Sequence, residues 1–257
     1  MNRLTESPAQ RSLARRNTSE APTVRGAEPA LCGRYLLAVD TTSESGSIAL
    51  ANAEHGTNAE RVIEEVQLDS AGGYSHILFD AIARLLARHG LGLRDIDCFA
   101  SAAGPGSFTG VRVGLTAIKG LAEANQRQAV AVSNLEALAF FGSRTLRAPV
   151  LDARRGEVYG AVYDAELHVV QEEVVMRFDG WIAGLPQGEI EVVTTGFALP
   201  AQPYPNISAP RALAGAIAQI AARRFSEGLG LDPAEIDANY VRRSDAELLW
   251  RDPHSRV

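Results

Sequence analysis

The chain has 257 residues, of which 46% are hydrophobic and 22% charged, with a net charge of −6 and two cysteines. That balance is the composition of a soluble globular protein large enough to bury a core without disulfides or structural metal, and no apolar run approaches the roughly 20 residues that cross a bilayer or stands behind the basic start as a secretory signal. The first 34 residues carry six arginines and three glutamates, which leaves 19 basic against 28 acidic residues in the body, a poor match for an RNA backbone, whose affinity comes from neutralised phosphates.

Residues 1–33 are rich in Arg, Ser, Thr, Ala, Glu and Pro and read as a flexible extension. Ordered structure is predicted from Tyr35. The run "YLLAVDTT" is a continuous apolar strand suited to burial on both faces, "GSIALAN" is its antiparallel neighbour, and "ERVIEEVQL" alternates as a third strand. In "YSHILFDAIARLLARHG" the residues Ile77, Leu78, Ala81, Ile82, Leu85 and Leu86 form the stripe of an amphipathic helix that Gly90 ends. A strand, "DCFASAAG", runs into a glycine loop. A long helix follows from Ser107, its predicted N-cap, then the strand "QAVAVS" and a third helix from "NLEALAFFG". The second part opens with three strands in "APVLDARRGEVYGAVYDAELHVVQEEVVM". It continues with a short helix near Trp181, a strand into a glycine turn at "EVVTTGFAL", and a helix that ends at Gly228. The expected organisation is an extension (1–33), an N-terminal half (34–147) and a smaller C-terminal half with a tail (148–257). Cys32 and Cys98 match no metal or redox spacing and read as free thiols in a reducing cytoplasm.

Three segments carry chemistry. The hairpin "DTTSESG", with Asp40, Thr41, Thr42 and Gly46, offers backbone N–H groups of the kind that cradle a phosphate, or is a plain Ser/Thr turn. Glu44 favours the turn, because its charge opposes a triphosphate. The loop "GPGSFTG" joins a strand to a helix N-terminus, where anions are favoured. Gly106 is expected to supply a positive φ there, and Gly110 and Gly114 a small-residue face that admits a second helix. Asp152 is a candidate general base, with the competing expectation that the nearby Arg154 and Arg155 pair with it or with Glu157.

The strings "LAVDTTSESGSIAL", "AAGPGSFTGVRVGLTAIKGLA", "LDARRGEVYGAVY" and "ANYVRRSDAELLW" resemble, in order and spacing, the signature segments of the TsaB (YeaZ) family, with Asn239 a departure from the pattern beside Tyr240. The resemblance covers about Tyr35 to Trp250. It implies an α/β, actin-like (ASKHA) fold of two ribonuclease H-like halves, mixed sheets flanked by helices. It implies a cytoplasmic, noncatalytic relative of TsaD, the transferase that makes N6-threonylcarbamoyladenosine at position 37 of tRNAs reading codons that begin with A. Such a subunit binds TsaD as a heterodimer, works with the ATPase TsaE, meets tRNA only indirectly, and has a homodimer as its alternative assembly. No cofactor of its own is implied; a nucleotide would sit only at an interface shared with TsaD or TsaE. Where TsaD-type enzymes carry a metal-binding HxxxH helix, this chain has Asn134 and Leu138, and neither restores a pair of imidazoles. The family pairs through its first two long helices, which makes Ser75, His76, Leu78, Ile82, Leu85, Phe108, Val111, Arg112, Gly114, Leu115 and Ile118 the candidate partner surface. The competing reading is a stand-alone actin-like ATPase or an M22-type metallopeptidase.

Overall fold

A computed structural model describes residues 35–53, 62–69 and 73–241. The predicted extension, Cys32, His55, His254 and the tail beyond Val241 lie outside the described residues. The first part contains β1 (Tyr35–Asp40), β2 (Ser47–Asn52), β3 (Val62–Gln67), α1 (Leu78–Arg88), β4 (Ile96–Ala102), α2 (Phe108–Asn125), β5 (Gln128–Val132) and α3 (Asn134–Ala139). The second contains β6 (Leu146–Arg154), β7 (Glu157–Asp164), β8 (Val169–Arg177), α4 (Phe178–Ala183), β9 (Ile190–Thr194), β10 (Asn206–Ser208) and α5 (Ala214–Ser226).

Each part builds one five-stranded sheet, ordered β3-β2-β1-β4-β5 and β8-β7-β6-β9-β10. In both, the first three strands form an antiparallel meander, and the fourth and fifth add in parallel beside the first. The two halves therefore repeat one topology. β10, three residues behind Pro205, is too short to show periodicity and was not expected from the sequence.

β1 explains why its sequence does not alternate. Leu36 and Ala38 enter one core cluster, and Tyr35, Leu37 and Val39 enter the other, so both faces are covered. Leu37, Val39, Ile48, Leu50 and Phe99 meet α1 and α2. The opposite face is lined by Ala38, Ala49, Ala51, Ala100 and Ala102, and meets Ala214, Ala218, Ala221 and Ala222 of α5. Short side chains on both surfaces let that helix lie close to the sheet. Thus α5, although it follows the second sheet in sequence, covers the first. In turn α3 leaves the first part to set Leu135 and Ala139 against Ala161 and Tyr163 of β7.

The N-terminus of α5 is capped from a distance. Its own N-cap residue, Leu213, has no side chain that accepts a hydrogen bond. Ser47 Oγ on β2 accepts from the Ala214 N–H at 3.0 Å, and Glu65 Oε1 on β3 accepts from the Gly215 N–H at 2.8 Å. Ser47 also donates to Glu65 at 3.2 Å. A carboxylate at this end also complements the helix dipole.

Ser47 is fully buried whereas Glu65 is exposed, so water replaces the second acceptor far better than the first. Ser47→Ala is expected to lower stability by about 1–2 kcal/mol and Glu65→Ala by about 0.5–1 kcal/mol. Urea unfolding should show lower midpoints at unchanged slope; equal stability of all three proteins would mean that α5 is not held in this way.

Candidate functional site at the glycine loop

β4 ends at Ala102 and the chain passes through Gly104, a cis bond to Pro105, and Gly106 before α2 begins. The positive φ is at Gly104, +99°, and not at Gly106 as expected. Gly106 is required for another reason: a Cβ there would stand 2.7 Å from the carbonyl oxygen of Thr42. A Cβ on Gly110 would lie 2.0 Å from the Thr41 carbonyl oxygen, and one on Gly114 would lie 2.7 Å from Thr41 Oγ1. The glycines therefore bring α2 against the end of β1, and the expectation that Gly110 and Gly114 admit a second helix is corrected. Ser107 caps the helix as predicted, its Oγ accepting from the Gly110 N–H at 3.3 Å. The Ser107 N–H donates to the Thr42 carbonyl at 2.7 Å, and Thr41 Oγ1 to the Gly110 carbonyl at 2.7 Å.

Several of the hairpin's polar groups are bonded inside the protein. Asp40 Oδ1 accepts from the Thr42 N–H at 2.9 Å and from its hydroxyl at 2.6 Å. The Gly46 N–H donates to the Tyr74 hydroxyl at 2.7 Å, which donates in turn to the Ser43 carbonyl at 2.6 Å. The Tyr74 ring also fills the space beside Gly46, where a Cβ would lie 2.6 Å from a ring carbon. Tyr74 was not singled out by its sequence, since a tyrosine ahead of a helix carries no distinguishing signal.

Asp40 is wholly buried, and its Oδ2 has no hydrogen-bond partner among the described residues. Burial pushes its carboxyl above the usual carboxylate range, and the Thr42 bonds only partly oppose this. Asn134, at one of the two positions compared with the HxxxH helix, has both ends of its amide engaged. Its Oδ1 accepts from the Gly104 N–H at 3.0 Å and its Nδ2 donates to Thr42 Oγ1 at 2.8 Å. Leu138, at the other position, is packed in the core beside α5.

A second polar cluster joins the parts. Glu173 on β8 accepts from the Ser133 hydroxyl, from Tyr163 at 2.9 Å and from the Asn239 amide at 2.6 Å. Asn239 also donates its backbone N–H to Ala103 at 2.8 Å, so the residue that departs from the family pattern ties the tail to the glycine loop. Burial, then the neighbouring Glu173 charge, pushes the Tyr163 hydroxyl pKa up. Glu136 of α3 takes two bonds of 2.8 Å from Arg224 of α5. Burial raises its pKa and the guanidinium offsets part of that.

The candidate partner residues divide into two groups. Leu78, Ile82, Leu85, Val111, Gly114, Leu115 and Ile118 are buried beneath α1 and α2 in the chain's own core, so they do not form an outer surface. Ser75, His76, Phe108 and Arg112 are exposed. The Arg112 guanidinium lies 3.9 Å from the Phe108 ring centroid, and its Nε donates to the Tyr240 hydroxyl at 3.1 Å. Sequence reasoning missed Phe79, 55% exposed on α1, and the line it forms with Ala83 and Ala87. On α2 the corresponding line is Arg112, Thr116 and Gly120, and a Cβ on Gly120 would meet nothing within 4 Å. Asp152 is exposed, and its Oδ1 accepts from the Arg154 backbone N–H at 2.7 Å, which makes it a turn-forming residue. Cys98 lies inside β4, and burial pushes its thiol up to about 12.

A family profile described as TsaD, tRNA N6-adenosine threonylcarbamoyltransferase, matches residues 69–227. The tRNA threonylcarbamoyladenosine biosynthesis protein TsaB of Bacillus subtilis (strain 168) is 31% identical over 229 residues, which cover 84% of this chain and 97% of that protein. The protein of the same name from Escherichia coli (strain K12) is 30% identical, covering 82% of this chain and 96% of its own length. Among solved structures, YeaZ from Pseudomonas aeruginosa superposes with a TM-score of 0.69 at 26% identity, covering 80% of this chain and 99% of that one.

The buried Asp40 gives a pH test. With its folded pKa above the unfolded value, the folded state keeps a proton that the unfolded chain has lost, so stability falls as pH rises through that window. Asp40→Asn removes this dependence. The melting temperature of the variant relative to the parent is expected to climb as pH rises above the range in which an unfolded aspartate titrates. A difference that stays flat across the range would show that Asp40 does not titrate in this way.

Proposed function

The chain belongs to the TsaB family and so takes part in tRNA threonylcarbamoyladenosine biosynthesis, and from that premise we propose that it is a noncatalytic subunit that binds TsaD and, with TsaE, supports its turnover. The observation that carries the noncatalytic reading is the state of the hairpin and of positions 134 and 138. The Gly46 N–H is taken by Tyr74, Asn134 spans Gly104 and Thr42, and Leu138 is core. A phosphate would have to displace the Tyr74 hydroxyl and ring from the Gly46 N–H. Any nucleotide would then be held at an interface shared with TsaD or TsaE. The acidic body supports contact with tRNA through TsaD, in the cytoplasm.

The proposed docking surface is the outer face of α1 and α2 with the turn before α1. Phe79 is its apolar anchor, Ala83, Ala87, Thr116 and Gly120 form low ridges that admit a helix, and Ser75, His76, Phe108 and Arg112 form the rim. The buried leucines and isoleucines of the same helices hold that face in shape. A homodimer would use the same surface.

This choice of residues decides which variants are informative. Ile82→Asp would bury an unpaired carboxylate and Gly114→Arg would strike Thr41, so both report on folding. Phe79→Glu and Gly120→Arg change only the exposed ridges. They are expected to weaken TsaD binding at least tenfold, about 1.4 kcal/mol, at unchanged melting temperature. Modification of tRNA reconstituted from TsaD, TsaE, tRNA and threonylcarbamoyl-adenylate is expected to fall with them. If both variants bind TsaD as the parent does, the surface is misassigned. Turnover of Mg-ATP by the isolated chain would instead favour an ATPase.

A further inference from the structure

After α5 the chain returns along α2 as a strap. The Leu231 N–H donates to the Ala129 carbonyl at 3.0 Å, Lys119 Nζ on α2 donates to the Ala234 carbonyl at 3.4 Å, and Ile236 is buried in the core cluster beneath α1 and α2. The strap ends at Tyr240, whose ring centroid lies 5.5 Å from that of Phe108 and whose hydroxyl takes the Arg112 bond. Residues 242–257 therefore set out from the N-terminal end of α2.

α1 starts at the same end. Tyr74, just ahead of it, and Ser107, just ahead of α2, both bond to the β1–β2 hairpin, at Ser43 and Gly46 and at Thr42. Phe79 thus stands at the end of the outer face where the strap finishes, and it is more exposed than either Phe108 or Tyr240. An exposed phenylalanine beside low ridges marks a contact surface. Residues 1–33 contain no aromatic residue, whereas the C-terminal segment carries Leu248, Leu249 and Trp250 in succession. Thr116 lies eight residues along α2 from Phe108, about 12 Å. The seven residues from Val241 to Leu248 span about 23 Å when extended, so the apolar run reaches that face. A tethered segment meets it at an effective concentration on the order of millimolar, and a contact too small to hold a separate peptide then suffices.

We propose that the C-terminal segment docks on its own chain, with Leu248, Leu249 and Trp250 against Phe79, Ala83 and Thr116, and so competes with TsaD for the outer face of α1 and α2. The competition rests on the docking surface proposed above; the fold-back itself does not. TsaD then has to displace the segment, and its apparent affinity is lowered to the fraction of molecules in which the face is free.

The chain has two tryptophans, and Trp181 is buried, so acrylamide quenching of the full-length protein, compared with that of Trp250→Phe, reports on Trp250. With the face free in about a third of molecules or fewer, Phe79→Glu is expected to raise the Trp250 quenching constant at least threefold. Leu248→Glu combined with Leu249→Glu in the full chain is expected to raise the affinity for TsaD by the same factor. Trp250 quenching that Phe79→Glu leaves unchanged overturns the fold-back, whether or not TsaD uses this face. So does protection of Trp250 that grows with protein concentration, which would place a second copy there. A threefold quenching change with unaltered TsaD affinity in the double leucine variant supports the fold-back and overturns the competition.

Discussion

The close approach of α2 to the end of β1 sets the rest of the site. Gly106, Gly110 and Gly114 each face Thr41 or Thr42 at distances that admit no side chain. With that contact made, the Ser107 N–H reaches the Thr42 carbonyl and the Thr41 hydroxyl reaches the Gly110 carbonyl. The outcome is a hairpin whose strand, loop and helix are one hydrogen-bonded unit. A loop rich in Ser, Thr and Gly has the composition of an anion cradle, but composition gives only the supply of N–H groups. Which partner takes them depends on packing, and here Tyr74 and Asp40 do.

The polar residues at the junction follow from the crossing helices. α3 and α5 each cover the sheet of the other part, so backbone and side chains near their ends leave water. Glu136 and Arg224 are the charged pair at that crossing. Removing Arg224 strands the buried Glu136 carboxylate, whereas Arg224, a third exposed, keeps access to water when Glu136 is removed. Glu173 plays a similar part with neutral donors: three side chains from α3's cap, β7 and the tail converge on one carboxylate. Remote capping by Ser47 and Glu65 completes the attachment of α5. Apart from Tyr163–Glu173, which lies within one sheet, these contacts bridge segments far apart in sequence, so the two sheets are held by side chains, with no strand shared between them among the described residues.

Elements set by local pattern were legible in the sequence. The apolar run of β1, the stripe of α1, the Ser107 cap and the alternation in β3 each follow from spacing within ten residues or so. Contacts between distant segments were not. The stripe Leu78, Ile82 and Leu85 gives a buried face but not what buries it, and the sheet took it whole. Gly110 and Gly114 announce a close approach without saying to what, and the strand end took that place too. Glu173 on an edge strand, Tyr74 before a helix and Asn239 in the tail look like ordinary surface residues one at a time; they matter because the fold brings their partners to them. β10 is too short for any periodic signal.

The contrast between positions 134 and 138 bears on how a noncatalytic reading is best argued. A missing histidine is weak evidence by itself, since other donors serve as metal ligands. Each position here has a different task. Asn134 is bound at both ends of its amide, through Gly104 to the loop and through the Thr42 hydroxyl to Asp40. Leu138 contributes to the apolar contact between α3 and α5. An imidazole at 138 would bury a polar ring in that contact, and one at 134 would have to break the link from loop to hairpin. Reverting the two positions would therefore cost the fold a core residue and a bridging amide before it provided a ligand, so the present arrangement is held by stability as well as by chemistry.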